Sequence, residues 1–173
     1  LISILEHLDS ESPESVILES VLEAMAEYYS LNLGREVKKG LHENAVKGKH
    51  NGGIPPLGYD VDAETRLLVI NEAEAETVRL IFRRVLEGVG YTQIINELNQ
   101  FGCLSKLGNR FSKNSLNSIL SNEKYTGTYL FNRSVGIDLS GKRSNQSRAE
   151  SEILRIDGLV PQIISKEDFE RVQ

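Results

Sequence analysis

The sequence predicts an α+β fold that is mainly helical, in which a long N-terminal helix precedes a compact, helix-turn-helix-like domain with a small antiparallel sheet. Apolar residues in the first third of the chain recur at spacings of four, three and then four residues, which is the period of an α-helix. Beyond it, four shorter helical segments alternate with short runs that have the composition of strands.

The long helix is predicted to begin at Pro13, because proline favours the first position of a helix. It runs for about 35 residues to roughly Lys49, or about 50 Å at 1.5 Å per residue. A helix of this length does not bury its apolar side on a small domain and usually packs on a partner helix; the alternative is a long core helix of the same domain. Its apolar positions are Leu18, Leu22, Met25, Tyr29, Leu33, Val37, Leu41 and Ala45.

Paired glycines and prolines in the segment KGKHNGGIPPLGY, residues 47–59, end the long helix and predict an extended basic connector. A short hairpin follows, with its turn at 62–65 and its second strand at 67–70. The next two helices are predicted to be capped by Asn71 and by Thr92, and to end at Gly88 and Gly102.

The last part of the chain contains two further helices and two strands. Ser112 is predicted to cap a helix over 112–125 that turns Leu116, Ile119 and Leu120 towards the core. Residues 125–134 are predicted to form a strand, 134–152 a flexible polar loop, and 153–164 a returning strand. Ser165 is expected to cap the final helix.

Composition excludes several classes of protein. The longest apolar stretches of this 173-residue chain fall far short of the roughly 20 residues that cross a bilayer. One cysteine, Cys103, and three scattered histidines leave no disulfide and no metal site, so we expect an intracellular protein without a metal. Neither a nucleotide-binding loop nor a nucleophile elbow is present, so the sequence predicts no active site and no cofactor.

The net charge of −5 hides two basic segments, with local charges of +3 over 35–59 and +6 over 103–149. Such patches attract polyanions even in an acidic chain. The second segment contains a helix-turn-helix pattern at 91–122, with a strand pair after it that can act as a wing. The helix at 112–125 is predicted to expose Lys113, Asn114, Asn117 and Ser118, which can contact base edges; the alternative is a three-helix bundle whose polar face meets only water. Basic residues flank this helix, namely Lys106, Arg110, Arg133, Lys142, Arg143 and Arg148.

Several segments taken together resemble the large serine recombinases of the resolvase and invertase superfamily. EHLDSESPE resembles the end of their catalytic domain, and the segment that ends in GGIPPLGY resembles their long connecting helix and the start of their recombinase domain. LVINEAEAETVRLIFRRVLEGVGYTQIINELNQFG, FSKNSLNSILSNEKYTGTYLFNR and VPQIISKEDFERVQ resemble the body and the end of that domain. The resemblance implies three parts: a catalytic-domain tail at 1–12, the connecting helix at 13–49 and the recombinase domain at 50–173.

The resemblance also implies a function. In this family, dimers bind two DNA attachment sites and pair them as a tetramer, and a serine in an N-terminal domain cuts and rejoins the strands without a metal or cofactor. That domain, the zinc ribbon and the coiled coil lie outside this chain, so we expect the chain to be inactive alone and to supply DNA binding in the cytoplasm of a bacterium. Double-stranded DNA and further copies of the protein are therefore the expected partners, and no membrane is expected.

By resemblance, the residues of the long helix that lie over DNA near the crossover are Arg35, Lys38 and Lys39. The arm residues that follow the minor groove are Lys47, Lys49, His50 and Asn51, while the helix at 112–125 enters the major groove. The residues expected to mediate dimerisation and synapsis are Leu18, Leu22, Met25, Tyr29 and Leu33. The main alternative is a winged-helix transcription regulator with a coiled-coil dimerisation helix, which predicts a palindromic operator. A protein-interaction helix with a carrier domain is a third possibility, but it leaves the basic segments unexplained.

Overall fold

A continuous helix, α1 (Pro13–Val46), occupies the first part of the chain in a computed structural model that describes residues 2–3, 8–9, 13–134 and 146–173. Its predicted start at Pro13 is confirmed, and it ends three residues before Lys49. The end is explained by Gly48, whose φ of +69° is left-handed and whose N–H donates to the Ala45 carbonyl, while the Lys49 N–H donates to the Asn44 carbonyl. Two short strands, β1 (Ile2–Ser3) and β2 (Leu8–Asp9), pair antiparallel before α1.

The chain divides into two units, Leu1–His42 and Glu43–Gln173. The second unit holds the remaining helices and two antiparallel hairpins, which confirms the mainly helical α+β fold. In the first hairpin Tyr59 pairs with Ile70, and in the second Thr128 pairs with Asp157. The elements are β3 (Tyr59–Val61), β4 (Leu68–Ile70), α2 (Glu72–Leu86), α3 (Tyr91–Gln100), α4 (Lys113–Leu120), β5 (Thr128–Phe131), β6 (Leu154–Asp157) and α5 (Lys166–Val172), with 3₁₀ turns at Glu123–Thr126 and Glu150–Glu152.

Local hydrogen bonds explain most of the helix ends. The side chains of Asn71 and Ser165 accept backbone N–H groups at the starts of α2 and α5, so both predicted caps are confirmed. The prediction for Thr92 is wrong, because α3 begins at Tyr91 and the carbonyl of Gly90 accepts the N–H groups of residues 93 and 94. The helix predicted over 112–125 stops at Leu120, and its remainder forms the 3₁₀ turn.

The core of the second unit is built around α2, which contacts α3, α4 and α5. Its buried face packs with aromatic residues from the hairpins and the 3₁₀ turn, and Ala45 from the end of α1 joins the same core. The largest fully buried side chains are Tyr59, Tyr125, Phe82, Ile81, Ile94, Leu98, Leu116 and Val78. Within the described part of the chain, no helix has the length and apolar character needed to span a bilayer.

Candidate nucleic-acid interface

Helix α4 presents the polar face that the sequence predicts. Ser112 and Ser115 cap it reciprocally, since the Ser115 N–H donates to the Ser112 Oγ over 3.3 Å and the Ser112 N–H donates to the Ser115 Oγ over 2.8 Å. Leu116, Ile119 and Leu120 are buried. The opposite face is therefore exposed and consists of Lys113, Asn114, Asn117 and Ser118.

A loop of residues 101–112 joins α3 to α4 and is much longer than the turn of a standard helix-turn-helix. Two hydrogen bonds between Asn99 and Phe111 connect the two ends of this loop. The Asn99 Nδ2 donates to the Phe111 carbonyl over 3.3 Å, and the Phe111 N–H donates to the Asn99 Oδ1 over 3.0 Å. The end of α3 is thus tied to the start of α4.

Lys106, which was predicted to contact DNA, pairs with two carboxylates of its own chain. Its Nζ lies 2.6 Å from Asp60 Oδ1 and 2.8 Å from Glu74 Oε2, and its side chain is only 18% exposed. The hydrogen bond from Lys106 is the largest of the influences that hold the pKa of Asp60 below its usual value. Two carboxylates therefore pair with this ammonium and tie the loop to β3 and α2, while the DNA contact of Lys106 stays a prediction.

Residues 50–57 form an extended segment, here called the arm, that is fixed at both ends. The Tyr129 hydroxyl donates to the Lys49 carbonyl just before the arm, and the Tyr125 hydroxyl donates to the Leu57 carbonyl at its end, each over 3.0 Å. In addition, the His50 N–H donates to the Arg66 carbonyl over 2.7 Å. These bonds hold the arm as an anchored loop.

The tip of the arm is open to solvent. Gly52 and Gly53 have φ values of +95° and +80°, a left-handed conformation that favours glycine, and Ile54 is 60% exposed. His50 was predicted to contact DNA, but it is buried beneath the tip, where its Nε2 lies 3.2 Å from the Gly53 carbonyl oxygen. His50 therefore supports the arm, and its contact with DNA stays a prediction, as does that of Asn51, which is partly buried.

Arm and helix α4 face each other across a groove of about 420 Å³. Arm residues from Ile54 to Leu57 line one side, while Arg110 and Ser118 belong to the loop and helix on the other side. The structure therefore brings together two segments that lie more than fifty positions apart in the sequence.

Buried tyrosines connect the arm to the core. The rings of Tyr59 and Tyr125 stack with centroids 5.8 Å apart, and the single hydroxyl proton of Tyr59 is shared between the carbonyls of Pro161 (2.7 Å) and Lys124 (3.1 Å). Burial raises the pKa of both phenols. They therefore remain neutral and continue to donate these hydrogen bonds.

Basic residues of the second unit fall into two groups. Most of those on α2, β6 and α5 form ion pairs, Arg83 of α2 being the exception: Arg79, Arg84, Arg155, Lys166 and Arg171 each lie within 4 Å of a carboxylate. Eight others have no ion pair within the described ranges. They are Lys47, Lys49, Arg66, Arg83, Arg110, Lys113, Lys124 and Arg133.

Three of these cations, Arg66, Arg83 and Lys124, were not identified from the sequence. Arg66 adjoins the arm through its carbonyl and has a φ of +61°, which is unusual for a residue other than glycine. Lys124 follows α4 in the 3₁₀ turn. The only sequence signal for Lys124 is its position in the basic segment 103–149. Lys142 and Arg143 lie outside the described residues, whereas Arg148 pairs with Glu152.

The first unit exposes a large apolar surface on α1. The residues predicted to mediate dimerisation, here called the apolar stripe, are all exposed: Leu18, Leu22, Met25, Tyr29 and Leu33. Further along the helix, Arg35, Lys38 and Lys39 are exposed as well. Contiguous apolar surface of this kind is typical of an interaction site.

Comparison with known proteins gives a family and a fold. A family model described as Recombinase matches residues 72–173. A crystal structure of an LSR–DNA complex is 24% identical with a TM-score of 0.55, and the alignment covers 79% of this chain and 36% of that one. A structure from work on the sequence requirements of the Listeria innocua prophage attP site is also 24% identical, with a TM-score of 0.54 and coverage of 79% and 49%. The chain thus spans about a third to a half of the length of these solved chains. Because the sequences are only 24% identical, the likeness shows the fold alone.

Proposed function

Because this chain belongs to the Recombinase family, as its resemblance to large serine recombinases predicts, we propose that it is the DNA-binding part of a site-specific serine recombinase. In this role the unit Glu43–Gln173 recognises attachment-site DNA and positions a catalytic domain for strand exchange. The chain itself contributes binding and orientation rather than the cutting of strands.

The distribution of basic residues is the observation that carries this proposal. Apart from Arg83, the cations on α2, β6 and α5 pair with carboxylates, whereas those just before the arm, in the loop before α4 and at the start of α4 have no such partner among the described residues. The cations concerned are Lys47, Lys49, Arg110 and Lys113. A duplex that contacts the arm and α4 meets a positive surface, although the protein as a whole is acidic.

The arm and α4 would read different grooves. The arm is extended, rich in glycine at its tip and fixed at both ends, so it can approach the floor of the minor groove without first becoming ordered. Helix α4 exposes Asn114 and Asn117, whose amides can bond to an adenine edge in the major groove. Since the groove between arm and helix is open, the two segments can contact the same stretch of duplex.

The first unit would supply contacts between copies of the protein. The apolar stripe on α1 fits a partner helix of the same kind, and Arg35, Lys38 and Lys39 of the same helix would lie over DNA near the crossover. Dimers would bind each attachment site, and tetramers would join the two sites.

Titration of labelled duplexes tests the proposal. The attachment site would first be selected with this chain from a random duplex library, and binding to the selected half-site and to a scrambled one would be measured at several salt concentrations. Lys47→Ala, Lys49→Ala and Arg110→Ala should weaken both duplexes alike, and each should lower the slope of log K against log salt by about one unit.

Substitutions of the α4 asparagines distinguish recognition of bases from contacts with the phosphate backbone. Asn114→Ala and Asn117→Ala should cost about 1 to 3 kcal/mol on the selected half-site and little on the scrambled one. Asn96→Ala, an exposed asparagine on α3, is the matched control and should change neither. Absence of duplex binding by the wild-type chain at low salt would refute the proposed function, and equal losses on both duplexes would show that α4 does not read sequence.

A further inference from the structure

Lys124 carries a partly buried charge that no carboxylate neutralises in the described part of the chain. Its Nζ lies 5.5 Å from the centre of the Tyr129 ring. Its backbone is held in place, since its N–H donates to Asn122 Oδ1 and its carbonyl accepts from the Tyr59 hydroxyl. The backbone from which this ammonium extends is therefore fixed.

Most of the other partly buried lysines and arginines of the second unit have the carboxylate partner that Lys124 lacks. Arg79, Arg84, Lys106 and Arg148 each lie within 4 Å of at least one carboxylate. Among the lysines and arginines that the structure describes, only Lys49 and Lys124 are partly buried without an ion pair. Tyr129 links the two, because its ring faces the Lys124 ammonium and its hydroxyl donates to the Lys49 carbonyl.

Burying a charge without a partner is unfavourable. The face of Tyr129 offsets part of this cost, because a cation is attracted to the negative face of an aromatic ring. Burial also lowers the pKa of Lys124, as is expected of an ammonium that has no carboxylate beside it among the described residues. An anion supplied from outside the chain would complete the site.

We propose that Lys124 binds a backbone phosphate of duplex DNA beside the start of the arm, next to the phosphate bound by Lys49. This inference rests on the proposed function, because DNA is the anion that the arm would contact. Lys124 would thus fix where the arm begins on the duplex and would contribute to affinity rather than to sequence recognition.

Charge removal at Lys124 tests this proposal. Lys124→Gln should lower the salt slope of log K by about 0.9 and weaken binding about five- to tenfold at 0.1 M salt, equally on selected and scrambled duplexes. Lys124→Arg keeps the charge and should retain most of the slope. Lys166→Gln is the matched control: it removes the same charge from an exposed lysine that is paired with Asp157 over 2.9 Å, and it should leave the slope unchanged.

The outcomes separate this inference from the proposed function. If the wild type binds duplexes and Lys124→Gln has the wild-type slope, the Lys124 site is refuted while the proposed function stands. If the wild type binds no duplex, both fail. If Lys124→Gln does not fold, the test is the extent to which an N-hydroxysuccinimide ester acetylates Lys124 in the wild-type chain, with and without duplex. A scrambled duplex should then protect Lys124 and leave Lys166 reactive, and equal acetylation of Lys124 with and without the duplex would overturn the proposal.

Discussion

The hydroxyl of Tyr125 donates to the Leu57 carbonyl from a side chain that is only 1% exposed. Tyr125→Phe would leave that buried carbonyl without a partner, at a cost of about 1 to 3 kcal/mol. We expect urea denaturation to show a fall of this size in the free energy of unfolding. Tyr91→Phe is the control: its hydroxyl has no hydrogen bond among the described residues, so its stability should match that of the wild type.

Lys106 gives the fold a dependence on pH. The pKa of Asp60 lies below its ordinary value of 3.8, first because of the hydrogen bond from Lys106 and then because of one from Asn71. Ionised Asp60 therefore stabilises the fold fully above pH 3.8, and this contribution is lost as the pH falls through the lower folded-state pKa. Lys106→Met should destabilise the protein by about 1 kcal/mol at pH 7, and its stability should approach that of the wild type below pH 3.8.

Measurement of the unfolding free energy from pH 7 to pH 2.5, using urea, checks this prediction for Lys106. Lys113→Met removes an exposed lysine without an ion pair and should show no such convergence with the wild type. A constant difference between Lys106→Met and the wild type across this range would mean that the Asp60 pair does not contribute to acid sensitivity.

Residue partners of this kind could not be predicted from the sequence. Lys106 lies 46 positions from Asp60 and 32 from Glu74, and no local pattern indicates such a distant pair. The same holds for His50: its predicted DNA contact came from the family resemblance, and no local pattern indicated that the tip at Gly52 and Gly53 lies over its ring. Caps such as Asn71 were predictable because they act within three residues of themselves.

At the level of elements, periodicity was the reliable signal. The positions of Leu116, Ile119 and Leu120 predicted which face of α4 is buried, and the structure agrees. The start of α3 was misplaced because a threonine near a helix start favours a side-chain cap, whereas the exposed Gly90 supplies the turn without one. The arm was predicted as extended, but its anchoring by Tyr125 and Tyr129 depends on contacts about 70 to 80 positions apart.

The junction between the arm and β3 depends on Gly58. Its φ is +91°, and a Cβ there would lie 2.9 Å from Ile163 Cδ1. Gly58→Ala combines left-handed strain with overpacking, so we expect it to lower the free energy of unfolding by about 2 to 4 kcal/mol. Thermal or urea denaturation of the full chain measures this loss.

Two further variants separate strain from overpacking at this junction. Gly88→Ala shares the left-handed φ, at +79°, but its Cβ would meet nothing within 4 Å, so it reports strain alone. In an Ile163→Val background, which lacks the clashing Cδ1, Gly58→Ala should cost about 1 kcal/mol less than in the wild type. An unchanged cost there would show that overpacking by Ile163 plays no part.

At the scale of the whole molecule, the two units differ in what holds them together. The second unit has a core shared by helices and hairpins, whereas every residue from 16 to 40 of α1 is exposed. An exposed helix without a partner is only marginally stable in water, because most helical stability in proteins comes from packing. Its amide hydrogens should therefore exchange much faster than those around Val78 and Phe82 in α2.

Self-association through the apolar stripe would bury α1 and so slow the exchange of its amide hydrogens. We expect hydrogen exchange in α1 over residues 16–33 to slow as the protein concentration rises, while exchange in α2 stays constant. Leu22→Lys places a charge in the stripe and should abolish this dependence and keep the chain monomeric in sedimentation velocity. Ser30→Lys adds the same charge to an exposed position outside the stripe and should behave like the wild type. If exchange in α1 does not respond to concentration, or if both variants behave alike, the stripe is not where copies of this chain meet.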